Sequence, residues 1–514
     1  MLVPELPSTL RKNPAIEQIQ KGRPDWFPWY GICAIALTRI PFRSLLPYDI
    51  DSVNFALAVG RFDPAAHQPH PPGYYLYVLL ARLLNRIVPD PNAALVAISV
   101  TASCAAGWTI YVLTREWFGR PAARISMLLF LASPLGWFHG IVGLTYMPEA
   151  FFSALVGILC WRACAGQLRS AVPAAMVLGL AAGFRPSAAL LLGPLLLWTL
   201  WQVSPRWRWR SMIAASLVML AWIVPMAIEA GGYRRYLDAF RHLWMTVPGK
   251  RTVIESGWLA VARFLTIGWI FVLFFGAVVL LLFVKGGKPS IVPPRWRMFV
   301  ILWTAPGLLF FIFVFLNYIN SGYLLILTPP AFAWMASRIE GNLAGNASIR
   351  RTSLAVLTAV NGLLFLLAPG YWSYQSVRAF ERDLALRTRE LRRQFNPSET
   401  LIVGFDSHFL GYRHAGYSLP EFVTAQYPEV AYPDGWRVFL MHEGDTRLVR
   451  ALPAEGLTRF AIYPLPSGAS YSRYLAEVLA KLPEGSVTRL DLGPLPVWTG
   501  PMSVLPLLFP STAR

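Results

Sequence analysis

The sequence predicts a polytopic α-helical membrane protein of about eleven spans, followed by a C-terminal α/β domain. The 514-residue chain is 55% hydrophobic and only 14% charged, whereas a soluble globular chain carries about 25% charged residues. Its mean hydropathy is +0.46. Apolar runs of about 20 residues, the length that crosses a bilayer, alternate with short basic connections.

The net charge of +19 does not indicate a nucleic-acid partner. Arg and Lys occur in short clusters between apolar runs, where they fix the orientation of the spans and meet anionic membrane lipid. The four cysteines all lie in apolar runs. Cys160 and Cys164 share a helix face, and we interpret them as packing residues rather than metal or redox residues.

The charge pattern predicts the topology. Alternate connections are rich in Arg and Lys, which places them and the N-terminal segment 1–26 in the cytoplasm. An odd number of spans between 27 and 371 then puts the C-terminus outside, opposite the N-terminus. The predicted spans are 27–46, 92–114, 121–138, 148–165, 171–184, 187–203, 211–229, 258–284, 298–316, 322–337 and 352–371.

Residues 47–91 form the most polar stretch of the N-terminal half. Their apolar part, 72–88, is short and carries two arginines, and a crossing there would reverse the charge pattern of the later connections. We therefore predict one external loop on the membrane surface, with amphipathic helices near 51–61 and 73–87.

Two other stretches depart from a simple bundle. Gly-Phe-Arg-Pro at 183–186 breaks an apolar run into two halves, and broken backbone is tolerated in a membrane where it is buried in protein or lines a cavity. The external loop 230–257 is basic, against the charge rule, and a function would explain it.

The composition changes after residue 371. A charged helical segment at 373–395 precedes short apolar runs typical of strands, with a further helix near 471–482. We predict an external α/β domain over 372–514, a normal domain size. Its predicted strands are 401–405, 438–441, 460–463 and 487–492.

Two aspartates follow the first span. Asp51 with Ser52 could cap the next helix, because short polar side chains accept hydrogen bonds from free backbone N–H groups. Asp51, or Asp49 as the alternate, could instead act as a general base on an acceptor hydroxyl. The residues alone leave capping and catalysis equally open.

His67 and His70 lie in the same loop, ahead of the turn that ends at Tyr74. Two histidines and an aspartate form a thinner set than the three protein ligands of a catalytic zinc site. We favour hydrogen bonding to substrate or backbone for these histidines, predict Tyr74 as a further substrate-binding residue, and assign no metal ligands. A divalent metal is left open as a cofactor.

Two charged residues lie at the external ends of spans. Glu149 either interacts with the dipole of the helix that it opens or has a function, as ionisable groups at membrane depth usually do. Arg185, at the helix break, either extends to the headgroups or clamps an anionic substrate. We favour a function for both residues.

Together these stretches resemble the GT-C superfamily of glycosyltransferases, in the branch of the protein O-mannosyltransferases and the lipid A aminoarabinose transferase. The resemblance covers about residues 25–340 and depends on the order of the motifs. The chain departs from its relatives at Asn54, where some carry Glu, and at Gly322, where the late motif often begins with Arg. The motifs are Asp51-Ser52-x-x-Phe55, His-Pro-Pro-Gly-Tyr at 70–74, Arg-Glu-Trp-Phe-Gly-Arg at 115–120, the stretch 133–146, Gly-Phe-Arg-Pro at 183–186, and Ser-Gly-Tyr-Leu-Leu at 321–325 before Pro329-Pro330.

The resemblance implies an inverting enzyme of a bacterial-type inner membrane that takes a sugar from a polyprenyl-phosphate carrier on the external, periplasmic face. It implies Asp51 as the general base, Asp49 as the alternate and Glu149 near the acceptor. The acceptor could be a protein, a lipid or a polysaccharide of the envelope. Fixed cations near the leaving phosphate would stabilise the developing anion. The residues assigned to the phosphate are Arg185, Arg263 and Tyr323.

Two alternative functions remain at this point. A transporter or flippase of lipid-linked saccharides would also have broken helices and buried charge, although this sequence has no paired halves. A non-catalytic scaffold of the same fold would bind lipid-linked sugars without needing Asp51.

Overall fold

The structure is a computed structural model that describes residues 25–246, 265, 268–273, 276, 294–314, 318–342, 347–404, 412–426, 456–463, 479–480, 482–492 and 495–505. Within these ranges it is mostly helical, with one small sheet near the C-terminus. The helices are α1 (Phe27–Arg39), α2 (Ile50–Gly60), α3 (Tyr75–Asn85), α4 (Pro91–Ala132), α5 (Pro134–His139), α6 (Tyr146–Cys164), α7 (Ala171–Phe184), α8 (Ser187–Gln202), α9 (Pro205–Glu229), α10 (Tyr233–Thr246), α11 (Pro294–Phe313), α12 (Thr328–Asn342), α13 (Ala347–Leu367), α14 (Tyr374–Gln394) and α15 (Tyr412–Ser418).

The predicted class, a polytopic helical membrane protein with a C-terminal α/β part, is confirmed. Five of the described helices are long and apolar enough to cross a membrane, namely α4, α6, α9, α11 and α13. Most of the predicted span 258–284 lies outside the described residues. The count of eleven spans therefore stays a prediction.

Helix α4 contains two of the predicted spans. It starts at a cap, because Asp90 Oδ1 accepts from the N–H of Asn92 and proline occupies the first position. Gly119, with φ of +86°, interrupts it before Pro121. The second segment ends at Ala132 and not at 138, because the Ser133 side chain caps the separate helix α5.

Two other span boundaries differ clearly from the prediction. Helix α1 ends at Arg39, so the span 27–46 was too long. Helix α12 begins at Thr328, not 322, because residues 318–327 form a 3₁₀ helix. Pro329 and Pro330 lie in the first turn of α12, where proline is favoured. The broken pair is confirmed: α7 and α8 are separated by Arg185, whose backbone is extended.

The loop 47–91 contains the two predicted helices, α2 and α3, but α2 is not a surface helix. Most of its residues are buried, because it packs against α3, α4 and α15. Arg82 of α3 donates to the carbonyls of Ala58 (3.0 Å) and Val59 (3.1 Å) at the end of α2. In the sequence, Arg82 indicated only that this segment does not cross the membrane. In the structure it holds α2 and α3 together.

The C-terminal sheet is mixed. Its strands are β1 (Thr400–Gly404), β2 (Val423–Gln426), β3 (Arg459–Ile462), β4 (Thr488–Leu492) and β5 (Leu495–Pro501), in the order β2-β1-β3-β5-β4. The strand β1 runs parallel to β2 and β3, and β5 runs antiparallel to β3 and β4. Three predicted strands match β1, β3 and β4, whereas β2 and β5 were missed. The predicted strand 438–441 lies outside the described residues, as does almost all of the helix predicted at 471–482.

Helix α14 joins the two parts of the molecule. Its Val377 and Leu384 belong to the core of the helical bundle. Its Leu391 packs in a smaller core with residues of the sheet, among them Ile402 and Ala461. The domain limits 27–371 and 372–514 stay predictions, since one helix contributes to both cores.

Candidate active site

Asp49 is the residue that caps α2. Its Oδ1 accepts a 2.8 Å hydrogen bond from the N–H of Asp51, and its Oδ2 accepts a 2.7 Å bond from the hydroxyl of Tyr371. The side chain is buried. The capping role that we considered for Asp51 therefore belongs to Asp49. Ser52 does not cap either, because its hydroxyl donates to the carbonyl of Gly143.

Asp51 is consequently available for other chemistry. It lies in the first turn of α2, and its side chain is 37% exposed. His70 Nδ1 lies 3.3 Å from Asp51 Oδ1. The other ring nitrogen, Nε2, is 3.0 Å from the hydroxyl of Tyr74. The three predicted site residues Asp51, His70 and Tyr74 therefore form one cluster.

The turn after His70 makes this cluster. The N–H of Gly73 donates to the carbonyl of His70 at 3.1 Å. Gly73 has a φ of +101°, which glycine adopts at no steric cost, and Tyr74 follows with a φ of +46°. This reversal brings the Tyr74 hydroxyl back to the imidazole four residues earlier.

Burial sets the protonation of the cluster. It lowers the pKa of His70 below the ordinary 6.5, partly opposed by the negative charge of Asp51. It raises the pKa of the Tyr74 hydroxyl well above its usual range. Tyr74 is therefore a neutral hydroxyl at neutral pH, and His70 is a neutral imidazole. With Tyr74 donating to Nε2, the ring proton of His70 lies on Nδ1 and faces Asp51.

Arg185 is the second centre of the site. Its Nε lies 3.1 Å from Glu149 Oε2, and its Nη1 donates to the hydroxyl of Thr145. The guanidinium stacks on two rings, with Cζ 4.1 Å from the centroid of Tyr146 and 4.2 Å from that of Tyr323. Arg185 is 5% exposed, so the alternative that it extends to the headgroups is wrong.

The 3₁₀ helix Tyr318–Leu327 holds Tyr323 against Arg185. Two hydrogen bonds anchor this segment: Trp372 Nε1 donates to Ser321 Oγ at 2.7 Å, and Ser153 Oγ donates to the carbonyl of Ile326 at 2.7 Å. Gly322 lies against the ring of Tyr146, where an added Cβ would be 2.2 Å from the nearest ring atom. A side chain at 322, such as the Arg of some relatives, therefore does not fit this arrangement.

The two groups meet at Tyr74. The Arg185 guanidinium carbon lies 5.8 Å from the centroid of the Tyr74 ring, and the Tyr74 hydroxyl binds His70. A half-exposed carboxylate and a buried cation are thus separated by one aromatic ring and one imidazole. An acid–base group beside fixed positive charge is the arrangement that stabilises a departing anion.

The remaining predicted residues lie elsewhere or were not described. His67 ends the short 3₁₀ helix Pro64–Ala66 in the same loop, with a φ of +54°. Arg263 lies outside the described residues. Arg235, from the basic loop, pairs with the buried carboxylate of Asp63 at 2.9 Å, so part of the unusual positive charge of that loop is neutralised by the loop 47–91.

The described residues offer no site for the divalent metal that the sequence left open. Within them, no group of three or more His, Cys, Asp or Glu side chains lies close enough to hold an ion. The Asp51 and His70 pair offers two ligands at most, fewer than the three that a catalytic zinc usually takes.

Sequence reasoning missed Thr145, Tyr146 and Tyr371 as site residues. Thr145 and Tyr146 belong to the motif 133–146, directly ahead of Glu149. An ionisable residue at the start of a membrane span was a signal that its neighbours could be site residues. Tyr371 had no such signal, because it reaches Asp49 from 322 positions along the chain.

The chain has apolar helices long enough to cross a membrane and a polar site at a loop of two packed helices. It shares the GT-C-like fold of two solved ArnT structures. The structure of ArnT from Cupriavidus metallidurans bound to undecaprenyl phosphate is 12% identical, covers 92% of this chain and 97% of that chain, and gives a TM-score of 0.56. The structure of the same protein in the apo state is 13% identical, covers 97% of this chain and 100% of that chain, and gives a TM-score of 0.55.

An oligosaccharyltransferase from Archaeoglobus fulgidus, in complex with Zn and sulfate, is 15% identical and covers 85% of this chain and 67% of that chain, with a TM-score of 0.45. No protein-family model matches the sequence, and no curated protein matches it. The two ArnT structures therefore confirm the fold that the motifs predicted.

Proposed function

We propose that this protein is a membrane glycosyltransferase that moves a sugar from a polyprenyl-phosphate-linked donor to an acceptor hydroxyl on the external face of the membrane. The observation that carries the proposal is the position of Asp51, a half-exposed carboxylate that faces His70. His70 in turn contacts Tyr74, whose ring centroid lies 5.8 Å from the guanidinium carbon of the buried Arg185. The fold shared with ArnT, which has been solved with undecaprenyl phosphate bound, supports a lipid-phosphate donor.

In this proposal Asp51 is the general base. It takes the proton of the acceptor hydroxyl while the acceptor oxygen attacks the anomeric carbon of the sugar. The bond between the anomeric carbon and the phosphate oxygen breaks, and its electron pair leaves with the lipid phosphate. A single displacement inverts the anomeric carbon. The proton stays on Asp51 until the products leave and water removes it.

His70 and Tyr74 would hold the base in position. The Nδ1–H of His70 faces one carboxylate oxygen, and the Tyr74 hydroxyl fixes the ring from the other side. Asp49 is the weaker candidate for the base, because it is buried and both of its oxygens already accept hydrogen bonds.

Arg185 would stabilise the leaving phosphate as a nearby hydrogen-bond donor and cation. Two of its nitrogens face Glu149 and Thr145, so the Glu149 carboxylate offsets part of its charge. Glu149 would orient this guanidinium rather than act on the acceptor. Arg263, outside the described residues, is proposed as a further cation near the phosphate.

The test is transfer of labelled sugar from synthetic polyprenyl-phosphate donors in native membranes. Asp51→Asn should lower the rate about 10²- to 10⁴-fold, the usual contribution of a general base. Asp238→Asn is the matched control, because that carboxylate is 75% exposed on α10 and lies 3.9 Å from Arg241. It should transfer at the wild-type rate.

Two results would overturn the proposal. Wild-type transfer by Asp51→Asn would remove the base assignment and move attention to Glu149. No transfer by the wild type, from any donor to protein, lipid or polysaccharide acceptors, would favour the transporter or the scaffold.

A further inference from the structure

A groove of about 890 Å³ lies at the junction between the helical bundle and α14. No residue of the Asp51 or Arg185 groups lines it. The size is in the range of small-molecule sites. The lining divides into an apolar part, Leu45, Leu46, Leu366 and Leu367, and a largely polar part on α14, Tyr374, Gln375, Arg378, Glu381, Arg382 and Ala385.

The apolar part lies at the end of a membrane span. Leu366 and Leu367 are the last residues of α13, one of the five candidate spans. Leu45 and Leu46 come directly before the loop 47–91. Leu367 and Leu45 are 61% and 54% exposed. The end of a membrane span is where hydrocarbon meets headgroups, and Leu45 places the groove beside the loop that carries the candidate active site.

The polar part carries one uncompensated positive charge. Glu381 accepts from the N–H of Leu45 at 2.6 Å and pairs with Arg378, so these two charges cancel. Arg378 also donates to the carbonyl of Arg43 at 2.9 Å. Arg382 is exposed, and no described residue forms an ion pair or hydrogen bond with it.

We propose that this groove binds an anionic phospholipid. One acyl chain lies against the four leucines, and the phosphate lies against Arg382, with the Tyr374 hydroxyl and the Gln375 amide as further donors. A planar guanidinium suits phosphate, and basic pockets beside helix ends bind anionic headgroups. A zwitterionic lipid has the same phosphate but no net charge, so it binds more weakly.

The bound lipid would contact both α13 and α14 and so support the junction between the bundle and the C-terminal part. This inference does not rest on the proposed transfer reaction. Lipid binding and sugar transfer are measured separately, and Asp51→Asn should retain lipid like the wild type.

The experiment uses the full chain, purified in detergent and mixed with phosphatidylglycerol or phosphatidylcholine of identical acyl chains. Native mass spectrometry counts the lipids retained. The wild type should retain phosphatidylglycerol about fivefold better, the preference expected from one arginine beside a headgroup of net negative charge. Arg382→Gln should abolish this preference. Ala385→Glu should do the same, because a carboxylate three residues further along α14 neutralises Arg382.

Arg389→Gln is the matched control: the side chain is 72% exposed on the same helix and does not line the groove. It should leave the preference unchanged. Equal retention of both lipids by the wild type, or an equal loss in Arg382→Gln and Arg389→Gln, would overturn the proposal. Displacement of phosphatidylglycerol by polyprenyl phosphate would also overturn it and assign the groove to the donor.

Discussion

Arg185 and Glu149 form an ion pair inside the protein, with Nε 3.1 Å from Oε2 and side chains that are 6% and 1% exposed. The pair joins the start of α6 to the break between α7 and α8. The rings of Tyr146 and Tyr323 cover the guanidinium. A buried charge of this kind depends on its partner, because loss of one member leaves the other uncompensated.

Replacing Glu149 by Gln should therefore destabilise the protein strongly. We expect a loss of about 3–5 kcal/mol in the free energy of unfolding, the usual cost of breaking a buried pair. Glu116→Gln is the matched control, because the Glu116–Arg162 pair has side chains 28% and 36% exposed and should contribute about 1 kcal/mol or less. Denaturant titration in detergent measures both. Equal losses would show that the buried pair stabilises the protein no more than the exposed pair does.

Gly322→Ala should disturb the same centre by steric means. The new methyl group would lie 2.2 Å from the ring of Tyr146, so this ring must move off Arg185. We expect a loss of about 1–3 kcal/mol in the free energy of unfolding, typical of overpacking, together with slower transfer. Gly193→Ala is the control: nothing lies within 4 Å of its added Cβ, and alanine favours a helix interior. Normal stability and transfer in Gly322→Ala would contradict the packing of Tyr146 on Gly322.

The order of helices and the loop helices could be predicted from the sequence because they depend on local properties. Apolar runs, basic connections and the break at Arg185 are all visible along the chain. The strand β5 escaped notice because Pro496 and Gly500 interrupt its pattern. Its hydrogen bonds with β3 and β4 stabilise it as a strand, although its own sequence pattern does not predict one.

The candidate site was predicted in its members but not in its pairings. Asp51 was linked to capping because it directly precedes Ser52, yet the cap is Asp49, two residues before the N–H that it binds. The partner of Asp49, Tyr371, and the rings around Arg185 come from distant segments. Such contacts depend on helix packing, which no pattern within one segment encodes.

The stability of the protein should depend on the protonation of His70. Burial holds the pKa of His70 below 6.5 in the folded chain. The unfolded chain therefore takes up the proton first as the pH falls, so the free energy of unfolding declines below pH 6.5 and is constant above it as far as this residue is concerned. Thermal unfolding between about pH 5 and pH 8 should show this decline in the wild type and a smaller one in His70→Gln. Identical pH profiles would exclude His70 as the titrating group.

Tyr371 should hold the start of the loop 47–91 without taking part in chemistry. Its hydroxyl donates to Asp49 Oδ2 at 2.7 Å, and its carbonyl accepts from the hydroxyl of Tyr48 at 2.8 Å. Tyr371→Phe removes the first bond, which involves a buried charged acceptor. It should cost about 1.5–3 kcal/mol in the free energy of unfolding, whereas Tyr30→Phe, at a side chain 72% exposed, should cost nothing measurable.

Asp49→Asn separates structure from catalysis at this position. An asparagine still caps a helix but loses the charge that Tyr371 binds, so its loss of stability should be close to that of Tyr371→Phe. Both variants should keep transfer within about tenfold of the wild type once corrected for the amount of folded protein. A displaced loop positions Asp51 less well for proton transfer, but the carboxylate is still present. If Asp49→Asn lost transfer completely while Tyr371→Phe kept it, Asp49 would be the base and the cap a secondary role.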